Sequence, residues 1–213
     1  GSLGAAPDRW LPVLDTITVK VDELNAIVDN LLTAARAEND GVTAVATLID
    51  LRDLVAEAVT RHAPRAELLN GTISLVLPHE PVPVAADRAL TARILDNLIN
   101  NALTYSIGPP RVRVHIDSER TVSVEDRGPG IPDKVRDRVF ERFVRADHPQ
   151  IGPRQGTGLG LYIGRELAAR QDALLSLART GPQGTVFTLA FPPVHQVTLE
   201  GRTATEASSA TVA

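Results

Sequence analysis

Four short segments occur in a fixed order along this chain of 213 residues, and few folds accommodate all four. They are Asp96-Asn97-Leu98-Ile99-Asn100-Asn101-Ala102, Asp126-Arg127-Gly128-Pro129-Gly130-Ile131, Phe140-Glu141-Arg142-Phe143 and Gly156-Thr157-Gly158-Leu159-Gly160-Leu161. The first places amides inside an apolar helical pattern. The second ends a strand with a carboxylate and two glycines. The last precedes a helix with three glycines at alternate positions.

Around these segments the hydrophobic pattern sets the elements. Leu14, Ile17, Val21, Leu24, Ile27, Val28, Leu31 and Leu32 recur at helical spacing, which predicts one long amphipathic helix over about 15–37, ended by Asn39-Asp40-Gly41. Its wide apolar stripe suits either a partner helix or the chain's own core. Next come a short strand over 48–51, a helix capped by Asp50 running to about Arg61, strands over 72–77 and 82–84, and a second long helix over 87–105. A hairpin is expected over 111–116 and 121–125, followed by a short helix near 133–139 and a loop over 146–155. A helix from Gly158 to about Arg170 and strands over 174–178 and 185–191 complete the pattern. Helices and strands are mixed rather than strictly alternating, so the expected class is α+β rather than a doubly wound sheet. The organisation reads as a frayed N-terminus over 1–11, a helical segment over 12–40, a globular domain over 41–194, and a small-residue polar tail over 195–213 expected to be disordered.

Composition narrows the function. A net charge of −4, a pI near 5.7 and 3% aromatic residues argue against a nucleic-acid partner. Absence of cysteine excludes disulfides, thiolate metal sites and a cysteine nucleophile, and suits a cytoplasmic setting. No apolar run approaches the roughly 18 residues of a membrane span, and no signal peptide is visible. Gly1-Ser2 reads as a cloning scar, and the chain contains no methionine, so it is expected to be a fragment of a longer protein.

Asn97 and Asn101 stand four apart on one helix and project from one face. Mg²⁺ takes oxygen ligands and commonly shares its shell with phosphates; an amide oxygen adds no further negative charge beside them. Asparagine disfavours a helix interior by roughly half a kcal/mol relative to alanine. Three of them at positions 97, 100 and 101 therefore suggest a function, against the alternative of a decorated surface helix. Asp126, at a strand end before Gly128 and Gly130, is placed to accept a hydrogen bond from an exocyclic amine, or else begins an ordinary strand-ending turn. Gly156-Thr157-Gly158-Leu159-Gly160 precedes a helix whose free N–H groups suit phosphate oxygens. It follows a loop, not a strand, and lacks the Gly-x4-Gly-Lys-Ser/Thr pattern, so neither dinucleotide-binding nor Walker signatures apply. Arg142, Arg145 and Arg154 flank that loop, within reach of phosphates or solvated at the surface.

In this order the segments resemble the asparagine, first glycine, phenylalanine and second glycine boxes of the histidine-kinase ATPase domain, in the superfamily shared with gyrase, MutL and heat-shock chaperone ATPases. The similarity spans about Leu48 to Pro192, and Phe140-Glu141-Arg142-Phe143 favours the sensor-kinase branch. It implies a two-layer α/β sandwich of the Bergerat type, with a mobile lid around 144–156, and ATP with Mg²⁺ as ligands. Carried over by motif, Asn97 and Asn101 hold Mg²⁺ and phosphates, Asp126 binds the adenine amine, and Tyr105 flanks the ring. Gly128, Gly130 and Ile131 line the pocket; Gly156, Thr157, Gly158, Leu159 and Gly160 close on the phosphates; Thr185 supports the adenine end. Family members often carry Lys or Arg where Thr104 stands, so a phosphate contact is missing or comes from a lid arginine such as Arg145.

The same resemblance makes 24–38 the second helix of a dimerisation and phosphoacceptor hairpin, whose first helix carries the acceptor histidine. None of His62, His79, His115, His148 and His195 lies in such a context. A histidine kinase that donates to an acceptor outside this chain is the favoured reading. Expected partners are that acceptor hairpin and a response-regulator receiver domain, with a homodimer in the parent and weak or no dimerisation here. A serine kinase of the anti-sigma type and a non-catalytic nucleotide-sensing module are the alternatives.

Overall fold

A computed structural model describes residues 44–117, 119–145 and 157–194. Within them the order is β1 (Thr47–Asp50), α1 (Leu51–Leu68), β2 (Thr72–Val76), β3 (Pro83–Ala86), α2 (Arg88–Tyr105), β4 (Arg111–Ile116), β5 (Thr121–Glu125), α3 (Asp133–Arg136), α4 (Gly160–Ala169), β6 (Leu174–Gly181) and β7 (Gly184–Ala190). Five strands form a mixed sheet in the order β2-β4-β5-β7-β6, parallel only between β2 and β4. β1 and β3 make a separate antiparallel pair. The chain is α+β, as its mixed pattern implied.

Strand alternation decides which sheet face is covered. In β4, Val112, Val114 and Ile116 are buried while Arg111 and Arg113 are exposed. The buried side packs under α1, α2 and α4, which contribute Leu54 and Val55, Ile94, Leu98 and Ile99, and Ile163 and Leu167 to the core. α2 touches both α1 and α4, so it is the central helix of the upper layer.

Capping explains where the long helices start. Asp50 accepts the Arg52 N–H (3.0 Å) at the head of α1, and the Arg52 guanidinium folds back onto the same carboxylate (2.7 Å). That side-chain bond outweighs partial desolvation and holds the Asp50 pKa below its usual value. Asp87 caps α2 by accepting from Ala89 (2.9 Å) and Leu90 (3.0 Å).

Several ends differ from expectation. α1 runs on to Leu68 instead of stopping near Arg61. Pro64 removes one ladder bond, but Ala66 is buried beyond it and Asn70, at φ 53°, forms the left-handed cap from which Gly71 N–H reaches the Ala66 carbonyl (2.8 Å). α2, by contrast, ends at Tyr105 as expected, where Ser106 turns extended and its hydroxyl donates to the Ala102 carbonyl (2.8 Å). α3 is shorter than expected, and β3 falls at 83–86 rather than 82–84. α4 begins at Gly160 because Gly158 is left-handed at φ 69°. The helix expected over 15–37, the loop over 146–155 and the tail beyond Val194 lie outside the described residues, as do Arg154 and Gly156. No helix among the described residues is long and apolar enough to cross a membrane.

Candidate functional site

Asp126, the residue after β5, is 5% exposed. Its Oδ1 accepts the N–H groups of Gly128 (2.7 Å) and Thr185 (3.1 Å), while its own N–H donates to the Thr185 carbonyl (3.0 Å). Both side-chain bonds fall on Oδ1, which leaves Oδ2 for a donor from outside. Burial pushes the carboxyl up to about 6; the two backbone donors oppose that shift and the Glu125 charge adds to it. A carboxylate kept dry at this energetic disadvantage is a functional-site signal.

The turn after Asp126 is fixed by contacts with the protein itself. A Cβ on Gly128 would lie 2.4 Å from the Tyr105 carbonyl oxygen and 2.9 Å from Asp126 Oδ1, so only glycine lets the turn sit against the end of α2. Gly130 abuts the Gly181 backbone, and Ile131 N–H donates to Thr180 Oγ1 (2.7 Å). Thr180 is a supporting residue that the sequence did not flag; its contact spans 49 positions and has no local signature.

On α2, Asn97, Asn101 and Tyr105 follow one another at four-residue spacing, and all three are half-buried. Asn97 Nδ2 donates to the Gly160 carbonyl (3.3 Å), which ties α2 to the first turn of α4 and leaves Oδ1 available. The Asn101 side chain has no hydrogen-bond partner among the described residues. The same face thus runs from the α4 start, past Asn101, to the Gly128 turn and the Asp126 corner. Two neutral amide oxygens are too few to hold Mg²⁺ alone, and no cluster of three metal-ligating His, Asp or Glu side chains occurs among the described residues. They fit a Mg²⁺ that brings anionic oxygens of its own, as a nucleotide's does.

The remaining segments border this face. Phe143 N–H bonds the Gly158 carbonyl (3.0 Å), and a Cβ on Gly158 would meet Phe143 Cα at 2.9 Å. Thr157 Oγ1 accepts from Leu159 N–H (3.2 Å) just before α4, and Leu159 itself is buried. Arg142 is turned to α4: it donates to the Tyr162 hydroxyl (2.6 Å) and its guanidinium lies 4.6 Å from that ring's centroid. Arg145 is exposed at the end of the described stretch. Of the sequence-derived set, Tyr105, Gly128, Asp126 and Thr185 meet at one corner, and Asn97 meets Gly160 at the start of α4.

Residues 86–195 match the model of the histidine kinase-, DNA gyrase B- and HSP90-like ATPase family, the stretch that contains every element of this site. The chain belongs to that family. Among relatives of this ATPase domain, the sensor-like histidine kinase SenX3 of Mycobacterium bovis is 31% identical over 183 residues, 84% of this chain and 44% of SenX3. The sensor protein kinase WalK of Staphylococcus haemolyticus is 26% identical over 191 residues, 87% of this chain and 31% of WalK. The chain thus spans less than half the length of these curated relatives. The crystal structure of full-length ShkA in complex with AMPPNP superposes with a TM-score of 0.72 at 26% identity, covering 90% of this chain and 40% of ShkA.

Proposed function

We propose that this chain is the ATP·Mg²⁺-binding part of a two-component sensor histidine kinase, donating the γ-phosphoryl group to a histidine on a separate helical hairpin. The observation that carries the reading is the buried Asp126 carboxylate, with Oδ2 available, at one end of an amide-lined helix face. Asp126 would accept from the adenine amine beside Tyr105, and Asn97 and Asn101 would hold Mg²⁺ and phosphate oxygens. Gly156 to Gly160 would close on the phosphates, with Arg145 adding charge from the lid. When bound, Mg²⁺ supplies charge neutralisation to the phosphates; the side chains position the nucleotide around it.

The acceptor lies elsewhere in this reading. His62 Nε2 is 3.0 Å from Asp96 Oδ1 and largely covered, and His115 sits on β4; both serve the fold. The domain occupies 41–194, preceded over 12–40 by one helix of the hairpin, and the parent's partners are a second copy and a receiver domain in the cytoplasm.

Mixing the chain with ATP, Mg²⁺ and a separately produced acceptor-hairpin protein tests this. Acid-labile phosphate on the hairpin, and none on this chain alone, is the expected result. Acid-stable phosphate would point to a serine kinase, and nucleotide binding without transfer to a non-catalytic module; either overturns the reading. Sedimentation should show weak dimerisation at most.

A further inference from the structure

Arg65, in the last turn of α1, directs its guanidinium at α2. Nη1 donates to Asn100 Oδ1 and Nη2 to Thr104 Oγ1 (3.4 Å). Both acceptors are neutral, and among the described residues no carboxylate pairs with Arg65. Other arginines of these two helices differ: Arg52 meets Asp50 (2.7 Å), Arg61 meets Asp96 (2.9 Å), and Arg88 meets Glu57 (2.5 Å). Crowding near α2 removes enough water from the Arg65 head to disfavour its charge, although the side chain remains exposed to solvent.

Its position relative to the amide face follows from helix geometry. Thr104 is three residues beyond Asn101 and so adjacent to it, and it lies on the same side of α2 as Asn97, two turns further along. Arg65 therefore reaches this face from the α1 side, whereas Gly160 and α4 border it at Asn97. A cation held in place by neutral oxygens, open to solvent and not neutralised, is prepared for an anion.

We propose that Arg65 is a binding residue for the phosphate chain of the nucleotide, supplied to the Asn97/Asn101 face by the neighbouring helix rather than by α2 or by the segment after Phe143. This rests on the nucleotide reading above and adds a residue to it. The guanidinium fork suits two phosphate oxygens. Asn100 and Thr104 hold its head in orientation beforehand, so little side-chain freedom is lost on binding.

Titration calorimetry with ATP and with adenosine, each in the presence of Mg²⁺, tests the assignment. Arg65→Gln keeps polar contact with Asn100 and Thr104 but removes the charge. It should weaken ATP by about tenfold to a hundredfold while leaving adenosine and the melting temperature unchanged. Adding Thr104→Lys, which returns a cation to the point Arg65 now touches, should recover most of the lost ATP affinity. Wild-type binding of ATP with undiminished affinity in Arg65→Gln would overturn the role. So would equal losses for ATP and adenosine, because a purely structural residue produces that pattern. If the unaltered chain binds neither ligand, the nucleotide reading itself fails, a result separate from either.

Discussion

The two ends of the candidate site are built on opposite principles. At the Asp126 corner almost nothing is left to adjust: the carboxylate is buried, two backbone donors fix Oδ1, and the Gly128 turn is wedged against the Tyr105 carbonyl. Along α2, by contrast, Asn97 and Asn101 are half-exposed, and the Asn101 side chain has no hydrogen-bond partner among the described residues. Preorganised dipoles in a dry corner discriminate between ligands, because a wrong group leaves buried polar atoms unpaired. An open amide face leaves room for ions and phosphates to complete its coordination. Discrimination is expected at the first end and charge handling at the second.

Substitution tests this contrast, with the largest effect expected in the corner. Gly128→Ala forces a Cβ to within 2.4 Å of a backbone oxygen, so it should destabilise the fold by about 3 kcal/mol or more, read by urea unfolding. Retained stability would mean that the corner is softer than its contacts imply. Asp126→Asn separates binding from folding. It should reduce ATP affinity by about a hundredfold, on the scale of a buried hydrogen bond to a charged group. At pH 7.5 it should leave stability unchanged or raised by about 1–3 kcal/mol, because a dry charge is removed while Oδ1 can still accept. A variant that loses both stability and affinity would show that the carboxylate is needed for the fold.

The same carboxyl predicts a pH dependence. Its folded pKa is raised to about 6 from 3.8, so protonation favours the native state; that contribution is present below about pH 4 and is lost as pH rises through 6. Adenine binding needs the opposite form. ATP affinity should be level above about pH 6 and fall by up to tenfold per unit below it, and Asp126→Asn should abolish that slope.

On the open face the effects should be smaller. Asn101→Asp places a negative charge beside the phosphates and should weaken Mg·ATP by about tenfold with little change in melting temperature. Unchanged affinity would remove Asn101 from the metal assignment. Smallest of all, Gly160→Ala adds a Cβ that meets the Asn97 side chain at ordinary contact distances, 3.6 Å from Oδ1 and 3.8 Å from Cγ, and should raise stability by up to about 1 kcal/mol through helix propensity.

The sequence carried much of this site because its signals are local. Asn97 and Asn101 stand one turn apart, Asp126 begins its own glycine turn, and Asp50 and Asp87 cap the helices that follow them. Spacing and backbone chemistry fix such features before any long-range contact forms. Arg65 and Thr180 were missed because their contacts span 39 and 49 positions, and an arginine in a helix or a threonine in a strand is unremarkable by itself. Arg142, which sequence left open between phosphate reach and a solvated surface position, is exposed and donates to the Tyr162 hydroxyl, a contact across 20 positions.

By itself, then, the sequence determined the α+β class, the order of elements and the candidate nucleotide-binding residues, because periodicity, caps and glycine turns act over a few residues. Only the tertiary structure decided that Asp126 is dry with one oxygen spoken for, that Gly128 is required by the Tyr105 carbonyl, and that α1 brings a cation to the face of α2. Those properties depend on burial and on the packing of distant segments, which no local pattern encodes.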